Sequence, residues 1–598
     1  MKKSILPILA AAFVAASPLG ADGFELTSAA GAAESLYAEW SPVAGSVAYQ
    51  VYVNDAAVDA QLVRRYPASV RVDVPGLAAG SYTVRVEARN ASGTVIDEAV
   101  SAPVAVDSRV REGFAFTVGN LPGAYKADGT LRDDASVIYV TASTVNTVTL
   151  DVVTDKKGKT TTHTGLAAIL SAMSKGYHKQ PLAIRVIGTV TDTQFSGLKD
   201  GNYINFQGSN ATDRRISGIT LEGIGNDAVL YGYGICFKRS CNIEISNLAI
   251  MLFGDDAISM DTDNSHIWLH NIDFFYGRPG RDADQVKGDG SIDMKYRSTD
   301  ITIDHNHFWD SGKVMGCGGT TGETENLRIT YHHNWFDHAD SRCPRLHYTT
   351  AHVYNNYYDG VPVYCIGNTT ESSAFVECNY FRNCKRPMMI SGQGTDSYDA
   401  KTGTYTLKGT FSGQNGGMTK AYNNVFAGEI ARKLVYQTDH ATQFDAWLVS
   451  ARDEAVPATA LSVKGGWAYN NFDTAPDMYV SHPDEPAVVP DIVTARAGRL
   501  QGGDLKWRFD NATDDEDHSV NAPLKEAVTN YVGQLVAVQG EPGFSDMSGI
   551  ESIAADYAAD AVPAIYDLAG RRVAADAASL PAGVYIMKTN GKTLKIKK

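Results

Sequence analysis

The chain has 598 residues, 44% of them aliphatic, aromatic or cysteine, and a formal net charge of −15. That length allows several domains of about 100–200 residues, or one elongated repeat unit with smaller attachments. The charge argues against nucleic acid or an anionic membrane as partner, and a polyanionic ligand would need metal ions or a local basic cluster to correct the field. The chain opens on Lys2-Lys3, an apolar run from Ile5 to Ala16, then Ser17-Pro18-Leu19-Gly20-Ala21. A charged start, a short apolar stretch and small residues predict a signal peptide over residues 1–21. The run is too short to span a bilayer and nothing later is long and apolar enough, so a soluble, exported monomer is expected.

Residues 22–107 alternate apolar and polar side chains in short runs parted by turn residues, as in "SLYAEW", "AYQVYV", "SVRVDVPGL" and "SYTVRVEARN". Period two predicts strands. With Trp40, the Tyr49–Tyr52 strand and the Leu77/Tyr82 pair, the segment resembles a fibronectin type III β-sandwich. A structural spacer is the plainer role, and sugar binding the alternative.

The middle of the chain repeats itself. "NIEISNLAI" at Asn242, "HIWLHNIDFF" at His266, "DITIDHNHFW" at Asp300 and "LRITYHHNWF" at Leu327 are followed by "AHVYNNYY", "FVECNYF", "AYNNVF" and "WAYNNF". Each is a short strand ending in asparagine and then an apolar residue. Asn247 to Asn271 is 24 residues, Asn306 to Asn334 is 28 and Asn356 to Asn379 is 23, a period that fits one coil of a solenoid of stacked parallel strands. Asn271 to Asn306, at 35, predicts a loop inserted in that coil. Asparagines recurring at one turn predict a ladder of stacked amides. A doubly wound α/β domain would need helical patterns between the strands, and there are none. The expected fold is all-β: a right-handed parallel β-helix over 108–545, between an N-terminal and a small C-terminal β-sandwich.

Seven cysteines fall between Cys236 and Cys384. Export would permit disulfides at Cys236/Cys241 and Cys378/Cys384, while buried free thiols are an equal alternative. The spacings are unlike zinc sites. "VNAPLKEAVTNYVGQLVAV" (520–538) predicts an amphipathic helix. Residues 546–598 form a separate unit of three β-like runs, Ile565–Ala574, Leu580–Lys588 and Asn590–Lys598. Tyr566-Asp567-Leu568-x-Gly570-Arg571, then Pro581-x-Gly583-Val584-Tyr585 and a Lys-rich end, resemble the C-terminal sorting domain of type IX secretion. That resemblance implies the type IX secretion machinery as partner and a secreted or cell-surface location in a Bacteroidetes-type bacterium.

Acidic residues gather at the coil insertion: Asp255-Asp256 end one coil, and Asp289 and Asp293 lie at and just beyond the end of the loop "GRPGRDADQVKGDG". Carboxylates from neighbouring coils suit a hard cation such as calcium. Lys313 in "DSGKVMG" and Arg342 in "SRCPRLH" lie on the next two coils, and strands about 4.8 Å apart would bring these charges into one groove. At this point the sequence, from about Ile216 to Gly360, resembles the pectate lyases of polysaccharide lyase family 1. "DAISMDTDNSHIWLHN" is similar to the first calcium motif, implying Asp256 as ligand, and "DGSIDMK" to the second, implying Asp289 and Asp293. "GKVMG" implies Lys313 in substrate binding, and "YHHNWFDHADSRCPR" implies Arg342 as the proton-abstracting base. The family's R-x-P-x-x-R pattern ends here in His347 rather than arginine, so substrate-carboxylate binding is weakened or passes to Arg345, and His347 is either a substrate contact or a plain structural residue. The resemblance implies Ca2+ as cofactor, pectate (polygalacturonate) as substrate, β-elimination as reaction and alkaline activity.

Other readings stand beside it. "GDDAIS" at Gly254 resembles the paired aspartates of polygalacturonases, but their later Gly-His-Gly and Arg-Ile-Lys motifs have no counterpart. A metal-free pectin lyase would not need all the aspartates, and a non-catalytic adhesin would not need Arg342. His332 and His333 invite a zinc site, but adjacent strand residues point to opposite faces, which argues against a shared metal.

Overall fold

The computed structural model describes residues 23–210, 214–279, 286–318, 325–428 and 434–545, and the backbone of four strands between 564 and 597. The signal-peptide segment 1–21, and residues 567–571 and 575–583 of the sorting motif, lie outside the described residues.

The period-two runs of the N-terminal segment form two antiparallel sheets. One orders Leu26–Ala32, Ser35–Trp40, Val70–Pro75 and Val63–Arg65; the other orders Ala56–Ala57, Ala48–Val53, Val84–Arg89 and Val95–Val100. Alternation puts Trp40, Tyr49, Val51, Val72 and Val86 into one buried core. The first sheet has a fifth strand that pattern alone assigned to the solenoid. Ala537–Val538 pair antiparallel with Arg65–Arg64, and Leu535 and Phe544 pack into the same core. Arg64 is fully buried beside Asp73 and donates to the carbonyl of Ile224 at 2.7 Å, so the sandwich is bonded to the solenoid.

Beyond it the chain winds as a parallel β-helix with three strands per coil. Ile258–Thr262, Ser265–His270 and Asp273–Phe274 pair with Ile292–Met294, Thr299–Asp304 and His307–Trp309, and these with Met315–Cys317, Leu327–His332 and Trp335–Asp337. The registers stack like on like inside. Ile219, Ile243, Ile267, Ile301 and Ile329 form one column, and Leu221, Ile245, Leu269 and Ile303 another, all buried. A third column is aromatic: Phe274, Phe308, Phe336, Tyr358, Phe381 and Phe426 stack with centroids 4.8, 5.2, 4.7, 4.5 and 5.2 Å apart. That spacing matches the interstrand distance, so each coil lays its ring on the one below.

The amide ladder exists and starts later than the repeat suggests. Asn306, Asn334, Asn356, Asn379 and Asn424 are linked Nδ2-to-Oδ1 at 2.9–3.1 Å, and each Oδ1 beyond Asn306 also accepts the previous asparagine's backbone N–H. Asn247 and Asn271 sit one position earlier in the turn, at φ 53°, where asparagine tolerates the left-handed region. Their side chains bond backbone carbonyls instead, of Gly223 and Gly225 and of Arg496 and Gly498. The two positions adjoin, so an alignment by asparagine alone merges them.

Three eight-residue helices among the described residues pack on the solenoid, one of them Val489–Arg496, which buries Val489 and Val493 against Tyr357. Leu166–Met173 was unforeseen; it buries Leu166, Ile169 and Leu170 in the first coils. The helix expected over 520–538 covers only Ala522–Thr529, capped by the Asn521 side chain, with Leu524 and Val528 against Val229, Met251 and Phe275. The chain then passes Gly533, where a Cβ would stand 2.7 Å from Thr189 Oγ1, and enters the sandwich. All seven cysteines are free and all but Cys241 buried, which removes both disulfides from consideration. At the C-terminus, Ala564–Tyr566, Arg572–Ala574, Val584–Thr589 and Lys592–Lys597 make one antiparallel sheet, so the first expected run is a hairpin of two strands. No helix among the described residues is long and apolar enough to cross a membrane.

Candidate active site

The groove lies on the eight-stranded sheet built from one strand of each coil. Its register places Ser259, Asp293, Gly316, Arg345 and Gly367 side by side on consecutive strands. The neighbours Ile258, Ile292 and Met315 are fully buried, so period two turns this column outward. Asp293 and Arg345 are therefore two strands apart, roughly 9.6 Å, with only Gly316 between them. A Cβ at Gly316 would come within 2.9 Å of Asp293 Oδ1, so the gap depends on glycine.

On the acidic side, Asp255, Asp256 and Asp289 each bring a carboxylate oxygen within 4.8 Å of the others. Asp256 Oδ1 and Asp293 Oδ1 converge over Gly290, where a Cβ would lie 3.1 and 2.7 Å from them. Tyr203 donates its hydroxyl to Asp255 Oδ2 at 2.6 Å and accepts the Asp256 N–H at 3.1 Å, which fixes the turn. Lys295 Nζ stands 4.0 Å from Asp256 Oδ2 and 3.8 Å from Asp293 Oδ2. One ammonium does not balance four carboxylates. Burial, then repulsion from Asp293, holds the Asp256 carboxyl well above the usual carboxylate range; burial also raises Asp293, against the pull of Lys295 and Arg342. The donor set is all carboxylate oxygen with surplus negative charge, which fits a hard divalent cation such as calcium.

On the basic side, Arg342 adopts φ 59°, a left-handed conformation that costs a non-glycine residue on the order of 1 kcal/mol and that neighbouring bonds must hold. Its carbonyl accepts the Met315 N–H at 2.8 Å, and Cys343 N–H donates to Cys365 O at 2.8 Å. The charge of its guanidinium opposes the burial that raises the Tyr364 hydroxyl and the Asp293 carboxyl, so it lies beside both. Lys313 pairs with Ser341 on the adjacent coil, one residue before Arg342. Arg345 donates to Gln414 Oε1 at 2.6 Å. His347 shares the face of Arg345 but is buried against Thr369 Oγ1, 3.2 Å away. Burial and the charge of Arg345 push its imidazole down to about 4, so it is neutral at pH 7. Arg345 is therefore the cation of this strand, and His347 is a buried neutral ring.

Residues 159–414 match the pectate lyase family model. The matched segment ends at Gln414 and contains every site residue named above. The chain is 30% identical over 235 residues to a pectate trisaccharide-lyase of Bacillus licheniformis, covering 39% of this chain and 65% of that protein. It is 31% identical over 209 residues to pectate lyase A of Emericella nidulans, covering 33% and 62%. The chain thus spans just under two thirds of the length of these relatives. Among solved structures, a pectate lyase from Bacillus sp. N165 in complex with trigalacturonate aligns with TM-score 0.44 at 22% identity, over 65% of this chain and 99% of that one. Pectate lyase C from Erwinia chrysanthemi aligns with TM-score 0.43 at 18% identity, over 66% and 98%.

Within the matched segment the structure adds residues that sequence reading passed over. Lys295 could have been found, because it follows Asp293 by two residues and shares its face, while Asp255, noted in the sequence only beside Asp256, joins the cluster itself. Tyr203, Tyr364 and Gln414 come from remote coils, and no local pattern points to them.

Proposed function

We propose that the chain is a calcium-dependent pectate lyase that cleaves α-1,4-linked galacturonan by β-elimination. The observation that carries this reading is the carboxylate cluster of Asp255, Asp256, Asp289 and Asp293 facing Arg342 and Arg345 across the glycine floor at Gly316. Calcium bound at these carboxylates supplies charge neutralisation for a uronate carboxylate and so acidifies the adjacent C5–H. Arg345, steered by Gln414, presents its guanidinium to a sugar carboxylate in the geometry that suits planar bidentate pairing. Lys313 adds a second cation to the same wall. Arg342, beside Tyr364, accepts the C5 proton; the C5 electron pair forms the C4–C5 double bond, the C4–O bond breaks, and water protonates the leaving oxygen. A guanidinium must lose a proton before it can accept one, so turnover climbs on the alkaline side.

A hydrolase reading fits less well. An inverting pair of carboxyl groups needs roughly 6.5–9.5 Å between them to admit water, whereas Asp255, Asp256 and Asp289 crowd within 4.8 Å. The N-terminal leader and the C-terminal unit support export, with type IX secretion as the route. The deciding assay is release of ultraviolet-absorbing unsaturated product from polygalacturonate with and without chelator. New reducing ends without that absorbance, or full activity after exhaustive chelation, would refute the proposal.

A further inference from the structure

A second group of titratable side chains lies away from the groove, where the chain turns after the strands Thr299–Asp304 and Leu327–His332. His305 and His333 occupy left-handed positions, at φ 50° and 53°. At such a turn strand alternation fails, and the rings of His332 and His333, expected on opposite faces, meet with their Nδ1 atoms 2.9 Å apart. The proton inventory is fixed from the outside. Asp484 is a carboxylate and can only accept, so at 3.0 Å it takes the Nε2–H of His333. Neutral His333 then offers a bare Nδ1, which accepts the Nδ1–H of His332. That leaves His332 Nε2 as a lone pair.

This lone pair is buried and has no hydrogen-bond partner among the described residues. It faces Asp304 Oδ1 at 4.0 Å, beyond hydrogen-bond reach, and that oxygen accepts the Trp268 indole N–H. Asp304 Oδ2 holds His305 Nδ1 at 2.7 Å, and one donor atom each of Asp304, His305 and His332 lies within 4.8 Å of the others. A ring nitrogen lone pair left unpartnered in a dry interior is destabilising unless a cation meets it.

We propose that Asp304, His305 and His332 form a second metal site, for a borderline divalent ion of the Zn2+ type. Imidazole nitrogen with one carboxylate suits zinc, cobalt or nickel and is poorly suited to calcium. The His332–His333–Asp484 relay is the outer support such a site requires, because it sets the tautomer that points Nε2 at the ion. The site joins two consecutive coils, and through Asp484 it ties the segment after the last repeat to their flank. Its role is structural, independent of the groove chemistry.

The test uses the full chain, stripped with chelator and then held in excess Ca2+ so that the carboxylate cluster is filled. Titration with Co2+ should give one equivalent of visible d–d absorption typical of nitrogen ligation, displaced by one equivalent of Zn2+. The band should persist in Asp256→Asn and vanish in His332→Asn and in His305→Asn, a change at a partly exposed turn that folding tolerates. Asp484→Asn should weaken Co2+ binding by about 10- to 100-fold. Absence of the band in the wild-type chain, or a band unchanged in both histidine variants, overturns the proposal.

Discussion

Replacing Arg342 by lysine separates proton abstraction from charge. Arg342 is held at φ 59°, and its guanidinium lies beside the Tyr364 hydroxyl and Asp293. Lysine keeps the positive charge but ends about one bond, roughly 1 Å, short of the guanidinium nitrogens and cannot fork between two partners. A misplacement of about 1 Å costs on the order of 100-fold, and loss of general-base catalysis typically costs about 100- to 10,000-fold. Arg342→Lys should therefore lose at least about 100-fold in kcat with KM and calcium dependence near wild type. Asp256→Asn should behave differently. It removes one charge from a cluster whose mutual repulsion already lifts Asp256, so calcium binding weakens about 10-fold or more and excess calcium partly restores turnover. Initial rates of absorbance gain on polygalacturonate, measured across calcium concentrations for both variants, decide the matter. If Arg342→Lys turns over near the wild-type rate while Asp256→Asn is inactive at every calcium level, carboxylates do the chemistry and the proton-abstraction role of Arg342 is wrong.

Gly316→Ala should fold, since the clash is with the movable end of Asp293, 2.9 Å away, but displacing that carboxylate should lower turnover by about 10-fold or more and raise the calcium requirement; unchanged calcium dependence would show that the floor does not matter. Asn334→Ala strips the acceptor from the Asn306 N–H and the donor from Ile303 O in a fully buried turn, costing about 2–5 kcal/mol in chemical denaturation, and a loss below about 1 kcal/mol would mean the ladder is dispensable. His338 is buried, which lowers its pKa, yet hydrogen bonds to Asp337 and Asp515 raise it to about 9. Its pKa is above the unfolded value, so its contribution is complete below about pH 6.5 and is lost as pH rises through about 9, on the order of 3 kcal/mol in all. Urea midpoints measured from pH 6 to 10 should fall across that window in the wild type and much less in Asp515→Asn; parallel curves would contradict the assignment.

The solenoid was legible in the residues because its physics is local and repeated. Each coil needs an apolar strand, a turn and an asparagine, and the period of 23 to 28 residues prints that requirement on the chain. The acidic motifs and Arg342 were legible for the same reason, since stacking carries residues at corresponding positions onto one face. The ladder was misaligned at Asn247 and Asn271 because two adjacent turn positions both accept asparagine, one for its left-handed φ and one for its amide bonds. Proton states and long-range pairing belonged to the tertiary structure alone. Nothing near Ala537 announces that it pairs with Arg65, nothing near His347 that burial and Arg345 hold it neutral, and nothing near His332 that Asp484, 152 residues on, sets its tautomer. Backbone pattern follows from neighbours along the chain, whereas charge and hydrogen-bond direction follow from whatever the packed interior places within a few ångströms.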